Sequence, residues 1–413
     1  MEIATQRLVR EINALTVLNI IREEEPISRA DIVKKSRLAF PTVMRIVDIF
    51  IQRNLVIETV RGDSEVGRKP ILLCLNKDAF YVIGAAIHAN LDVWIMDMQS
   101  NILAKWSECI RAGENASIYQ INRTAELINM LIANSGIRKE AIAGVGVGMP
   151  GTDFKSDVNI RDSQFSGWQQ NIDVKSILEE KTGLPVYADN VSRTYTYGEL
   201  YYGWGRKYKD FLCVMIDSGV SGCNVVNSKI MNGAHGVSGE LGHVSIDPLH
   251  GRPCYCGNKG CIESYISREG ILCTLRERLT CASPLFQAIK GDLSSLTFSK
   301  AVEAIPHDPT VLEVFREAGR MLGYLLVNLV NIYDPAVIVL GGSVAASCED
   351  FRAEAERTVH EGVFSNKARN VKVLTSLLPE SQWQLGTTAK VIQNTLNAYV
   401  HNNKTREESA SKD

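Results

Sequence analysis

What this chain lacks narrows it first. No apolar run approaches membrane-spanning length, and no leader of charged, apolar and small-residue zones opens the sequence, so a soluble cytoplasmic protein is expected, with no membrane insertion. Charge of either sign is not in excess, and the formal net charge is −2. That excludes a globally basic nucleic-acid binder, so any such function must sit in a local patch. No Ser–His–Asp or thiol-nucleophile constellation stands out, and Cys213, Cys223 and Cys273 lie in apolar contexts that suit inert thiols. The 413 residues, 45% of them hydrophobic, provide material for two or three domains.

Cysteine is where the sequence concentrates its chemistry. Cys254, Cys256 and Cys261 form a tight trio that follows His243, while the other seven of the ten are dispersed, as free thiols in a reducing cytosol would be. One imidazole and three thiolates close a tetrahedral zinc shell with no open position, the pattern of a structural site. Gly257 and Gly260 are expected to fold the backbone back so that Cys256 and Cys261 face a common centre. The prediction is one structural Zn2+ per chain. His235 and His250 flank the loop as alternative ligands; His88, His307, His360 and His401 read as ordinary surface or core residues.

The first seventy-odd residues read as a separate module. Leu8, Ile12, Leu15, Leu18 and Ile21 recur at helical spacing between Thr5 and Arg22, and Pro26 ends that helix. Ser28 caps a second helix, Arg29 to Lys35, with Asp31 at its third position. Pro41 opens a third, Thr42 to Gln52, with Val43, Ile46, Val47 and Phe50 as its buried stripe. Two short strands, Leu55–Ile57 and Ile71–Leu75, flank a polar turn. Three helices and a hairpin predict a winged helix-turn-helix. Thr42, Arg45 and Gln52 would face a major groove. Between Ser28 and Pro70 there are nine Lys/Arg against five Asp/Glu, and Arg68 and Lys69 at the wing form a short basic arm suited to a narrow minor groove.

Further along, apolar β-rich runs (Tyr81–Ile87, Ile142–Val147, Phe211–Ile216, Val337–Leu340) alternate with helical segments, as a layered α/β protein requires. In one order the chain carries the module ending in Gly-Arg-Lys-Pro70, the Gly144-Val-Gly-Val-Gly-Met-Pro-Gly151 turn, Gly239-Glu-Leu-Gly-His243, the cysteine trio and Asp334-Pro-Ala-Val-Ile-Val-Leu-Gly-Gly342. This set resembles the ROK family of repressors, open reading frames and kinases, and within it the non-kinase branch of xylose- and N-acetylglucosamine-responsive regulators. The resemblance implies a two-lobed actin/hexokinase-like (RNase H-like) α/β fold with a sugar cleft. The domains then expected are residues 1–76 for the winged module, 77–198 for the first lobe, completed by a C-terminal helix at 386–400, 199–385 for the second lobe with the zinc loop, and 401–413 for a polar, disordered tail.

Kinases of that family need a phosphate-cradling turn after the first strand, a second glycine-rich loop and a catalytic Asp. The equivalent stretches here are Gly84-Ala-Ala-Ile-His-Ala-Asn-Leu91, which has no acid, and Asp217-Ser-Gly-Val-Ser-Gly-Cys223, whose Asp217 would repel phosphate. An ungapped count from Leu184-Pro185-Val186 puts Val191 at the base position, where it cannot accept a proton; a one-residue shift would offer Asp189 instead. The resemblance implies sugar contacts from Glu240, His243 and Glu263, with Asn190 beside them and Gln164 in place of a usual Asn before Gly167-Trp168. The expected function is a sugar-responsive DNA-binding repressor, without catalytic residues, acting as a homodimer or tetramer on operator DNA. A carbohydrate kinase with a fused DNA-binding module, or a repressor captured by a sugar-transport protein, is the alternative.

Overall fold

The computed structural model describes residues 6–59, 71–87, 90–109, 116–149, 159–160, 172–365, 369–378 and 385–401. Arg68, Lys69, Gln164, Gly167, Trp168, His88 and the tail after residue 401 lie outside them. The chain divides into two compact units: the first ends at Asp189 and resumes at Thr387, and the second spans Asn190–Gly386.

The first unit opens with helices α1 (Gln6–Glu24), α2 (Arg29–Ser36) and α3 (Phe40–Gln52). Strands β1 (Ile27–Ser28), β2 (Val56–Thr59) and β3 (Leu72–Leu75) form an antiparallel sheet in the order β1-β3-β2. Ser28 caps α2: its hydroxyl accepts from the Asp31 N–H at 3.2 Å and donates to the Asp31 carboxylate at 2.6 Å. Pro41 sits in the first turn of α3, where its missing N–H costs nothing, and Val43, Ile46, Val47 and Phe50 are the buried stripe. On α1, Val17, Leu18 and Ile21 are buried and Ile12 stands 52% exposed.

The same unit carries a five-stranded sheet. Strands β4 (Tyr81–Ile87), β5 (Asn90–Met96) and β6 (Ile102–Cys109) run antiparallel, with α4 (Ala116–Ser135) packed on them. After β7 (Ile142–Met149), parallel to β4, come β8 (Asn159–Ile160), β9 (Ile172–Asp173), α5 (Val174–Thr182) and β10 (Val186–Asn190), and the sheet order is β10-β7-β4-β5-β6. The C-terminal helix (Gly386–His401) lies against β7. A Cβ on Gly146 would stand 2.0 Å from the Thr387 carbonyl, so only glycine permits that approach.

That helix also ties the N-terminal head to the sheet. Arg22 donates to Gln393 at 3.2 Å, Arg53 donates to the Tyr399 carbonyl, and Phe80 stacks on Tyr399 with ring centroids 6.0 Å apart. Contacts therefore merge residues expected to form a separate module with the first unit.

The second unit begins with α6 (Val191–Tyr202), so the expected lobe boundary after Gly198 falls inside a helix. The helix stays whole because it packs on the second sheet: β11 (Phe211–Ile216), β12 (Val220–Val226) and β13 (Lys229–Ile230), followed by the metal loop. Next come α7 (Glu263–Ile266), α8 (Arg268–Arg278), α9 (Pro284–Ala288), α10 (Phe298–Ala304), α11 (Pro309–Tyr333), β14 (Val337–Gly341), α12 (Ser343–Ser347), α13 (Glu349–Gly362) and β15 (Lys372–Thr375). Sheet order is β13-β12-β11-β14-β15, with β14 parallel to both neighbours. Strand alternation divides the core. Leu212, Val214, Ile338 and Leu340 join Leu322, Leu326 and Val359 of α11 and α13. Phe211, Cys213, Val337 and Val339 join Tyr195 and Leu200 of α6.

Candidate metal and effector site

The loop between β13 and α7 brings His243, Cys254, Cys256 and Cys261 together, with one ligand atom of each within 4.8 Å of all the others. His243 Nδ1 lies 3.6 Å from Cys254 Sγ, and Cys256 Sγ lies 3.6 Å from Cys261 Sγ. Zinc bonds of about 2.3 Å to thiolates give tetrahedral edges of about 3.8 Å, so the four residues fit such an ion. Gly257 and Gly260 both adopt positive φ, +92° and +69°, and a Cβ on Gly260 would stand 2.0 Å from the Asp247 carbonyl. The expected fold-back of the loop is thus built on backbone that only glycine accepts readily. His235 and His250 are exposed and do not join the cluster.

Arg252, which sequence reasoning passed over, anchors this loop. Its Nη1 donates to the Ser264 carbonyl at 3.1 Å and to Thr274 Oγ1 at 2.9 Å, its Nη2 meets Glu277 at 2.6 Å, and its guanidinium lies over the Tyr265 ring. The loop is fastened to α7 and α8 by one side chain.

Beside the metal cluster stand the carboxylates. Glu263 is 6% exposed at the start of α7. Its Oε2 accepts from the Val220 N–H at 2.7 Å, while its Oε1 is buried with no hydrogen-bond partner. A buried carboxylate oxygen left unpaired is costly, and a ligand hydroxyl would satisfy it. Glu240 is open to solvent, yet the protein around its carboxylate raises its pKa, and repulsion from Glu263 adds to this; His243 and Arg193 work in the opposite direction. Arg193, 7% exposed, donates to the Gly236 carbonyl at 2.9 Å and so holds the segment that leads to Glu240. Tyr255, from between two of the cysteines, places its hydroxyl 2.9 Å from His243 Nε2. Burial raises the Tyr255 pKa, and the Glu263 carboxylate raises it further.

Asn190 sits at the start of α6, where its side chain caps the helix by accepting from the Ser192 N–H at 2.7 Å. Val191 is buried and has no acid–base chemistry. Asp189, the acid a one-residue shift would supply, is 4% exposed and accepts from Lys390 Nζ at 3.1 Å. Asp217, expected to repel phosphate, is paired with Arg268 at 2.7 Å. On α3, Arg45 and Gln52 are exposed and Thr42 half-buried. Burial pushes the Cys213 thiol well above its ordinary pKa, as an inert thiol requires.

Two α/β sheets, a His-Cys-Cys-Cys loop and a pair of acids beside it define a class, and the family model agrees. The chain belongs to the ROK family, whose model matches residues 95–394. It is 28% identical over 397 residues to the xylose repressor of Bacillus subtilis, covering 96% of this chain and 99% of that protein. It is 26% identical over 409 residues to the DNA-binding transcriptional dual regulator NagC of Escherichia coli, covering 97% of each. Among solved structures, a ROK family transcriptional regulator, a homologue of the E. coli MLC protein, superposes with a TM-score of 0.79 at 22% identity, over 95% of this chain and 98% of that one. A Streptomyces griseus ROK glucokinase, solved with glucose and AMPPNP, gives a TM-score of 0.62 at 23% identity, over 76% of this chain and 97% of that one. The fold is the mixed α/β fold of ROK regulators and hexokinase-like proteins. Among the described residues, no helix is long and apolar enough to cross a membrane.

Proposed function

We propose that this protein is a zinc-stabilised, sugar-responsive transcriptional repressor without kinase activity. The observation that carries the effector site is the unpartnered, buried Oε1 of Glu263, next to Glu240 and His243 on a loop whose shape four metal ligands would fix. When bound, zinc supplies a rigid centre for the loop, and the chain's own acids do the recognising. Carboxylates suit vicinal hydroxyls because each oxygen accepts more than one hydrogen bond. Asn190 and Gln164 complete the sugar shell in this reading.

Relatives named xylose repressor, N-acetylglucosamine repressor and DNA-binding transcriptional dual regulator support a sugar or sugar derivative as effector and operator DNA as partner. Thr42, Arg45 and Gln52 of α3 would read bases, and Arg68 and Lys69 the minor groove. The winged module at 1–76, the two lobes with their zinc loop, cytoplasmic residence and action as a homodimer or tetramer belong to the same reading. A sugar-transport protein is a further candidate partner. Phosphoryl transfer is disfavoured by Val191 at the base position, by the Asp189–Lys390 pair and by the Asp217–Arg268 pair.

Glu263→Gln and Glu240→Gln test it. Each leaves a ligand hydroxyl poorly paired, a loss of roughly 1–3 kcal/mol, so effector affinity should fall about 5- to 100-fold. Operator affinity without effector should hardly change. Normal sugar response by both variants would place the effector site elsewhere.

A further inference from the structure

Tyr255, on the metal loop, is a neighbour of both effector acids. It stands between Cys254 and Cys256 of the metal cluster, with its hydroxyl on the cluster's His243 and beside the Glu263 carboxylate. Its ring meets the imidazole edge-on, with centroids 5.2 Å apart and planes at 77°. When Nδ1 of His243 serves the metal, Nε2 carries the proton and donates to the Tyr255 oxygen at 2.9 Å. The same hydroxyl interacts with the Glu263 carboxylate, which disfavours its ionisation.

A hydroxyl that accepts from an imidazole N–H and faces a carboxylate does what a sugar hydroxyl would do at the same place. We infer that Tyr255 holds the position of an effector hydroxyl when no sugar is bound, and that the sugar binds by displacing it. This rests on the proposed effector site. It makes Tyr255 an affinity- and specificity-determining residue: a ligand must offer a hydroxyl there good enough to replace the one it evicts. At 45% exposure its ring has solvent to move into.

The test uses the full-length, zinc-loaded protein and the Tyr255→Phe variant, which keeps the ring and loses only the hydroxyl. Two measurements separate the parts: water exchange of the His243 Nε2–H by NMR on histidine-labelled protein, and calorimetric titration with D-xylose and N-acetyl-D-glucosamine. The variant should keep its zinc and exchange that proton about tenfold faster or more. It should bind whichever sugar the parent binds about two- to tenfold tighter, the factor set by removing one competing hydrogen bond. Unchanged exchange, or equal or weaker sugar affinity in the variant, overturns the inference. A parent that binds neither sugar counts against the effector reading, and the exchange measurement then decides the role of Tyr255 alone.

Discussion

Arg268 grips Asp217 twice: its Nη2 lies 2.7 Å from Oδ1, and its backbone N–H donates to the Asp217 carbonyl at 2.9 Å. Its Nε reaches on to Ser343 Oγ at 2.6 Å, so one guanidinium bridges the turn after β11 and the first residue of α12. The turn that resembles a phosphate loop is neutralised from within. An incoming phosphate would have to compete with a carboxylate already in place.

That pairing sharpens the expectation for chemistry. Val191→Asp returns a carboxylate to the base position but leaves Arg268 engaged, so incubation with ATP and a panel of sugars should yield only background phosphorylation. Robust ATP-dependent turnover by this single variant would sink the non-kinase reading.

Removing a metal ligand should act on metal and stability together. Cys256→Ser and Cys261→Ser should each lower zinc content below one ion per chain and lower the melting temperature, because thiolate ligands bind only by organising the loop. Full zinc occupancy in both variants, measured by elemental analysis, would remove the four-residue site.

On DNA the two groups of basic residues should separate. Replacing Arg68 and Lys69 with Ala should weaken binding to many sequences and flatten its salt dependence, through lost counterion release. Arg45→Ala should instead relax preference at particular base pairs, by about 1–3 kcal/mol. A parent that binds operator and random DNA equally would refute specific regulation.

Asp308 offers a pH test of the second unit. It caps α11, accepting from the Thr310 N–H at 2.9 Å, and also accepts from the Leu285 N–H at 3.0 Å and from Ser283. Burial alone would raise its pKa, but these donors outweigh it and the net direction is down from 3.8. A folded pKa below the unfolded one stabilises above pH 3.8, and the contribution is lost as pH falls through the lower folded value. Asp308→Ala should therefore cost about 0.5–2 kcal/mol at neutral pH. The gap in chemical denaturation should narrow at strongly acid pH; a gap independent of pH would mean the charge contributes nothing.

Legibility in the sequence followed locality. The stripe Val43, Ile46, Val47 and Phe50 and the Ser28 cap were readable because a helix's periodicity and its first turn are written within a few residues. The metal loop was readable for the same reason, its ligands being close in the chain. Ile12, at helical spacing with Leu18 and Ile21, is exposed, because periodicity gives a face but not whether anything covers it. Tyr255 over His243, Lys390 on Asp189 and Arg268 on Asp217 were invisible: each depends on which surfaces meet after folding.

The close passage of Thr387 over Gly146 has a consequence for how the protein is made. The helix that buries Val391, Ile392, Leu396 and Val400 emerges from the ribosome only after the whole second unit has been synthesised. Until then β7 is exposed along the line that the helix will cover, and Arg22 and Arg53 wait for Gln393 and Tyr399. The nascent head and first sheet thus stay open while the second unit can already collapse around its own core. The part of the chain that is translated first is the last to be closed.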